Sequence, residues 1–168
     1  MSFAVWLTGL SGSGKSAVAR ELVALLHARG IDASVLESDV MRKQLTPFPT
    51  YDAAEREFFY GALADFGAQL VAQGRPVLFD ATANRRAYRD AARAKIARFA
   101  EVYVDTPLEV CAARDTKGLY AKGAALPGAG APYEPPLAPE LAVQGDRGTP
   151  QQAASKIVEF MEGSGWLT

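Results

Sequence analysis

The sequence predicts a three-layer α/β fold with a five-stranded parallel sheet between helices. Two observations support this prediction. Short apolar runs typical of buried strands alternate with longer segments typical of helices, which is the pattern of parallel β-α-β units. The chain has 168 residues, of which 49% are hydrophobic, so it is long enough to bury a substantial core. We therefore expect a single domain over residues 1–168.

The predicted strands cover residues 3–8, 33–37, 76–80 and 101–105, with a weaker fifth at 141–143. The run from Val77 to Phe79 is continuously apolar, which is typical of a strand buried on both faces. The predicted helices cover residues 15–29, 39–45, 52–73, 86–98, 107–113 and 150–161. Gly30 and Gly74 follow two of them at the usual C-terminal position, and Pro107 opens another in its first turn.

Composition gives no reason to expect a nucleic-acid or membrane partner. The formal net charge is −1, and no apolar run approaches the ~18 residues of a membrane-spanning helix. No basic segment precedes an apolar one at the N-terminus, so no secretory signal is expected. The single cysteine, Cys111, rules out an internal disulfide and is expected in the core. We therefore expect a cytoplasmic protein.

The segment from Gly9 to Ser16 carries the clearest chemical signal. It reads GLSGSGKS and matches the phosphate-binding pattern G-x-x-x-x-G-K-[ST], between a predicted strand and a predicted helix. Its glycines let backbone N–H groups turn towards an anion, and the helix N-terminus adds a positive dipole. We expect Lys15 to contact the β- and γ-phosphates of a nucleoside triphosphate and Ser16 to hold Mg²⁺. The predicted nucleotide-binding residues are Gly9, Ser11, Gly12, Ser13, Gly14, Lys15, Ser16 and Ala17.

Charged residues follow two of the predicted strands, where ligands bind in open parallel sheets. We expect Asp39 to orient or deprotonate an acceptor hydroxyl and Arg42 to hold an anionic acceptor, the alternatives being a helix N-cap and a surface charge. Asp80 ends an apolar strand in the Walker B form, so it is expected to help Ser16 hold the metal. Lys15, Asp39 and Asp80 are thus the predicted catalytic residues.

Two segments after Asp80 are predicted to border the site. Arg86, Arg89 and Arg93 share one face of a predicted helix. That face is expected either to be a lid over residues 84–98, which brings charge to the transferred phosphate, or to be a solvated basic surface. Residues 118–150 are rich in proline and glycine yet contain aromatic and charged side chains, so we expect a substrate or nucleotide loop rather than a linker.

Several longer motifs make the chain resemble the adenylylsulfate kinase family of P-loop kinases. They lie at Glu37 to Arg42, Val104 to Cys111, Arg114 to Tyr120 and Ala131 to Pro136. The resemblance implies a P-loop NTPase fold of the nucleotide kinase type. It also implies transfer of the γ-phosphate of ATP, with Mg²⁺, to the ribose 3′-hydroxyl of adenosine 5′-phosphosulfate (APS). By resemblance, Arg114 would lie beside the ATP base, the chain would form a homodimer, and the acceptor pocket would include Lys117, Gly118 and Leu119.

Other positions depart from the family pattern on the acceptor side. The family has an asparagine and a pair of arginines where this chain has AEREFFYG at residues 54–61, which leaves Arg56 to hold the acceptor. Residues 80–85 replace the family's Ile-Ser-Pro, and Leu126 replaces an aromatic residue. The first expectation for the small-molecule acceptor is still APS. Two alternatives stay open: a different nucleotide-like or sugar hydroxyl, and a non-catalytic ATP-binding sensor.

Overall fold

The computed structural model describes residues 2–123 and 126–167. Its strands are β1 (Ala4–Thr8), β2 (Ser34–Glu37), β3 (Val77–Asp80), β4 (Phe99–Asp105), β5 (Leu126–Pro127), β6 (Gly130–Ala131) and β7 (Leu141–Gln144). Five of them form a parallel sheet in the order β2-β3-β1-β4-β7, while β5 pairs with β6 separately. The predicted α/β fold with a five-stranded parallel sheet is therefore confirmed.

The helices are α1 (Lys15–His27), α2 (Ser38–Leu45), α3 (Ala53–Ala72), α4 (Arg86–Arg93), α5 (Leu108–Arg114) and α6 (Pro150–Gly163). The helix predicted over residues 86–98 is too long, because α4 ends at Arg93 and the chain turns there so that Ile96 can enter the core. The ends of the other predicted helices and of the five main strands lie within two residues of those observed.

Two cores lie on opposite faces of the sheet. Alternate residues of β1 point to opposite faces, so Val5 and Leu7 join one core while Ala4 and Trp6 join the other. The first core packs against α1 and α6, and the second packs against α3 and the residues of and after α4. All five residues of β1 are buried, which explains why the predicted strands read as continuous apolar runs.

Strand register brings several of the predicted site residues to one edge of the sheet. Leu7 in β1 pairs with Asp80 in β3, and Asp80 also pairs with Glu37 at the end of β2. The P-loop follows β1 directly, and α2 follows β2 directly. The carboxyl ends of these three neighbouring strands therefore place the P-loop, Asp80 and the start of α2 side by side.

Part of the predicted loop over residues 118–150 has regular structure, namely β5, β6 and β7. Residues 124–125 of that loop lie outside the described residues, as do positions 1 and 168 of the predicted domain. Across the described ranges 2–123 and 126–167, every helix is too short or too polar to cross a membrane.

Candidate functional site

The P-loop is a tight turn packed against its neighbours. Gly12 has a φ of +81°, and a Cβ atom there would lie 2.9 Å from the carbonyl oxygen of Cys111, so only glycine fits. Side chains from other parts of the chain donate hydrogen bonds to the loop carbonyls: Thr106 Oγ1 donates to Ser13 O at 2.8 Å, and Tyr120 Oη donates to Ser11 O at 2.7 Å. The nucleotide-binding residues predicted at this loop are thus gathered in one preformed turn that leads into α1.

Lys15 folds back over the loop. Its Nζ donates to the carbonyl oxygens of Gly9 at 2.9 Å and Leu10 at 2.8 Å, and only 8% of the residue is exposed. Burial lowers the pKa of the Lys15 ammonium to about 8, although the nearby carboxylate of Asp80 opposes this shift. A buried cation with only carbonyl partners is well suited to bind an anion. Burial has removed the water that would solvate the ammonium group, and a bound anion would neutralise its charge.

Ser16 and Asp80 are in direct contact. Ser16 Oγ donates to Asp80 Oδ2 at 2.6 Å, and Asp80 is buried at the end of β3. One hydroxyl and one carboxylate are the hard oxygen donors that suit a Mg²⁺ ion, whose remaining positions are usually filled by phosphates and water. Among the residues that the structure describes, no cluster of three or more His, Cys, Asp or Glu side chains could hold a metal by itself.

Arg114 lies at the end of α5 and ties the P-loop to the chain after β7. Its Nη1 donates to Gly12 O at 3.1 Å and its Nη2 to Gly145 O at 2.7 Å. Asp115 follows it with a φ of +35° and accepts hydrogen bonds from the backbone N–H groups of Tyr120 and Ala121. The motif from Arg114 to Tyr120 therefore forms a structured turn over the P-loop.

Asp39 and Lys117 form an ion pair across the open side of the site. Asp39 lies in the first turn of α2, and Lys117 lies in the turn after α5. Both side chains are about half exposed, so either can change its partner at small cost. The N-cap of α2 is Glu37, so the alternative that Asp39 is a helix N-cap is wrong.

Arg42 is buried, so the alternative of a surface charge is wrong for this residue. Its Nη1 donates to Glu55 Oε1 at 2.5 Å, and its guanidinium carbon lies 4.2 Å from the ring centroid of Phe59 and 4.7 Å from that of Tyr51. Asp39, Arg42 and Tyr51 contribute to the wall of an open cavity of about 230 Å³. The predicted acceptor side of the site thus has a cavity, with a cation at its wall.

The other predicted acceptor residues lie in the first turn of α3 and in the turn after α5. Arg56 is half-buried in the first turn of α3. Gly118 has a φ of +67° and donates from its backbone N–H to Asp115 O at 2.9 Å, while Leu119 is half-buried beside it. Ala17, predicted at the nucleotide, is half-buried in the first turn of α1.

The arginines of α4 hold the segment after β6 instead of forming a solvated surface. Arg89 is fully buried, donates to Glu101 Oε2 at 3.0 Å and also donates to the carbonyl of Glu134. Arg93 forms an ion pair with Glu140, and Arg86 Nε donates to Pro135 O at 2.7 Å. The solvated-surface alternative is therefore wrong for Arg89, and the three side chains together fasten residues 134–140 to α4.

Sequence reasoning missed two parts of the site. Thr8 Oγ1 donates to Thr82 O at 2.5 Å, which joins the end of β1 to the loop after β3, and Tyr133 Oη lies 2.9 Å from the same hydroxyl, which brings the segment after β6 to this point. Glu55, the partner of Arg42, is the second. Tyr133 stands within the motif from Ala131 to Pro136, which was a usable signal, whereas no sequence pattern pairs Glu55 with a residue thirteen positions earlier.

Comparison with known proteins identifies the family of this chain. The family model for adenylylsulphate kinase matches residues 1–144. The adenylyl-sulfate kinase of Halothermothrix orenii is 39% identical over 169 residues, covering 97% of this chain and 91% of that protein. The probable adenylyl-sulfate kinase of Pyrococcus abyssi is 35% identical over 170 residues, covering 98% of each.

A solved structure agrees with these relatives. The APS kinase CysC of Mycobacterium tuberculosis, in complex with AMPPNP and APS, superposes with a TM-score of 0.90 at 35% identity, covering 96% of this chain and 98% of that one. The family that these comparisons identify is the same one that the sequence motifs resemble. The chain belongs to the adenylylsulfate kinase family of P-loop kinases.

Proposed function

We propose that this chain is an ATP-dependent adenylylsulfate kinase, which transfers the γ-phosphate of ATP to the 3′-hydroxyl of APS and releases ADP. The observation that carries the proposal is the juxtaposition of a preformed P-loop with an Asp39–Lys117 pair at one edge of the sheet. Family membership and the similarity to a kinase solved with AMPPNP and APS support the choice of substrates.

The nucleotide half of the reaction uses the P-loop. The backbone N–H groups from Gly9 to Ser16 would surround the phosphates, with Arg114 beside the base. The Lys15 ammonium would exchange the carbonyls of Gly9 and Leu10 for β- and γ-phosphate oxygens. Because Lys15 is buried, its charge is weakly screened and stabilises the charge that develops on the transferred group.

Mg²⁺ would be held by Ser16 and Asp80, whose side chains are already in contact. When bound, the ion would neutralise the negative charge of the nucleotide phosphates. Asp80 is fixed by its place in β3 between β1 and β2, so the donor set has a defined position relative to the P-loop.

The acceptor half uses Asp39 as the base or positioning group. An anionic acceptor would attract Lys117 away from Asp39, which frees the carboxylate to accept the proton of the attacking hydroxyl. The hydroxyl oxygen then bonds to the γ-phosphorus, and the bond to the bridging oxygen breaks to leave ADP. Arg42, Arg56, Gly118 and Leu119 would hold the acceptor in line with that bond.

A second candidate is a kinase of the same design that acts on a less negatively charged hydroxyl compound. One observation favours it: two of the cations near Asp39, namely Arg42 and Lys117, are already paired with carboxylates. In addition, residues 58–60 are aromatic where the family pattern has a polar and basic stretch. Such a pocket attracts a highly charged acceptor less strongly than one with free cations.

The test is coupled ADP release with MgATP, with and without APS, with direct detection of the phosphorylated product. We expect APS-dependent release in the wild type and none in Lys15→Ala. Release that depends on another hydroxyl acceptor, but not on APS, would replace the first candidate with the second. Nucleotide binding without release for any acceptor in a panel would instead favour an ATP-binding sensor.

A further inference from the structure

Arg42 is held in a cage of three side chains. Besides the ion pair with Glu55, its guanidinium carbon lies within 5 Å of the ring centroids of Phe59 and Tyr51. Cation–π contacts of this kind fix the plane and position of an arginine. The side chains of Arg42 and Glu55 are only 10% and 12% exposed, so the ion pair is largely removed from water.

Glu55 uses both carboxylate oxygens to build this cage. Oε1 accepts from Arg42 Nη1, while Oε2 accepts from the backbone N–H of Tyr51 at 3.1 Å. Tyr51 has a φ of +58°, an unfavourable conformation for a bulky residue, so it needs such a restraint. The backbone N–H of Glu55 donates in turn to Asp52 at the N-cap of α3. One carboxylate therefore orients both the cation and one ring of the cage.

This arrangement also sets the charge that the cavity presents. Asp39, Arg42 and Lys43 are the charged residues of the cavity lining, and the carboxylate of Glu55, which is not part of that lining, neutralises Arg42. An anionic group that enters must compete with Glu55 for the guanidinium. Because the pair is weakly screened, that competition has a large effect on affinity.

We propose that Glu55 is a positioning residue that limits the affinity of this cavity for the anionic group of the acceptor by holding and neutralising Arg42. The inference rests on the proposed function where it names APS as the acceptor. It adds a specificity determinant that acts through Arg42 and leaves the nucleotide half of the site untouched.

The test compares Glu55→Gln with the wild type. Glutamine has the same size but no charge, and its single carbonyl oxygen can satisfy only one of the two donors, so Arg42 loses its neutralising partner. We expect the KM for APS to fall about tenfold while the KM for ATP stays unchanged. Glu55→Asp keeps the charge and should show no such fall. The matched control is Glu57→Gln, which removes an exposed carboxylate from the same helix and should leave both constants unchanged.

The effect must pass through Arg42. In a double-mutant cycle, adding Glu55→Gln to Arg42→Met should therefore give no gain in APS affinity. An APS KM that is unchanged or raised in a folded Glu55→Gln protein would overturn the proposal. So would a gain that persists without Arg42.

A second measurement separates this inference from the proposed function. With MgADP saturating the P-loop, inorganic sulfate serves as the anion probe, and its binding is followed by calorimetry. Glu55→Gln should bind sulfate about tenfold more tightly than the wild type, and equal binding would contradict the proposal. Absence of APS-dependent turnover in the wild type would count against the proposed function alone, because the sulfate titration still tests Glu55.

Discussion

Lys15 shows how much the surroundings of one residue determine its chemistry. The P-loop pattern predicts a lysine that contacts phosphate, but a lysine in water has a pKa far above neutrality. In the folded chain, burial lowers the pKa of Lys15 to about 8. The positive charge that the proposed phosphate contact needs is therefore lost within an accessible pH range.

We predict that nucleotide affinity weakens above about pH 8. Below that pH, Lys15 of the nucleotide-free protein is already protonated. Binding then takes up no proton, and the affinity does not change with pH. Above it, the phosphates must draw a proton onto Lys15, so the dissociation constant for MgADP rises by about tenfold per pH unit. Calorimetry from pH 7 to 10 measures this rise.

The control is Lys15→Met, which should bind more weakly but without a break near pH 8. The same break in Lys15→Met would assign the titration to another group. The tyrosines with raised pKa values cannot imitate the break, because burial moves Tyr120 and Tyr133 to about 12.

At the scale of elements, α3 is held close to the sheet by a glycine. A Cβ atom added to Gly67 would overlap the ring of Phe79 in β3, whereas one added to Gly61 would meet nothing within 4 Å. The two glycines lie in the same helix and differ in the space around them.

We predict opposite effects for alanine at these two positions. Gly67→Ala should destabilise the fold by about 1–3 kcal/mol because the ring of Phe79 must move in a packed core. Gly61→Ala should be neutral or should stabilise the fold by up to about 1 kcal/mol, because alanine favours the helix. Urea unfolding measures both, and an equal loss for the two variants would contradict the close packing of α3 on β3.

The packing of α4 against the sheet includes a buried ion pair. Arg89 is fully buried against Glu101, while Arg29 and Glu162 form an exposed pair elsewhere. Removing Arg89 would leave the buried carboxylate of Glu101 with only the more distant Arg93, at 3.7 Å, whereas an exposed pair contributes little.

We predict that Arg89→Met lowers the free energy of unfolding by about 3–5 kcal/mol, and that Arg29→Met lowers it by less than about 1 kcal/mol. Chemical denaturation measures both values. Replacing Arg89 and Glu101 together by apolar residues should restore much of the loss, since no charge then stays unpaired. A loss for Arg89→Met no larger than that for Arg29→Met would mean that the pair is not buried in solution.

For the whole molecule, the sheet separates two cores. Ile96 belongs to the core under α3 and α4, and Ile157 belongs to the core under α1 and α6. Both side chains are buried, and they belong to different core clusters.

The homodimer that the family resemblance implies stays a prediction for the whole molecule.

We predict that Ile96→Val and Ile157→Val each cost about 0.5–1.5 kcal/mol, and that the double variant costs their sum to within about 0.5 kcal/mol. Thermal or urea unfolding of the wild type, the two single variants and the double variant gives the four values of this double-mutant cycle. A coupling of more than about 1 kcal/mol would show that the sheet transmits packing changes between the two cores.

Local patterns in the sequence were sufficient for the elements and for half of the site. Continuous apolar runs predicted the strands, and the glycine-rich motif predicted the P-loop with Lys15 and Ser16, because both signals depend on residues adjacent in sequence. Asp80 was predictable for the same reason, since it ends an apolar strand. The contacts of the α4 arginines were not predictable, because only the fold determines whether that helix face is exposed to solvent or packs against Glu101.

The sequence by itself determined the fold class, the family and the position of the P-loop, because these follow from periodicity and from compact motifs. Only the tertiary structure decided which charges neutralise one another. The pairs of Arg42 with Glu55, Lys117 with Asp39 and Arg89 with Glu101 join separate elements of the chain. Their strength depends on burial, and burial is a property of the packed molecule.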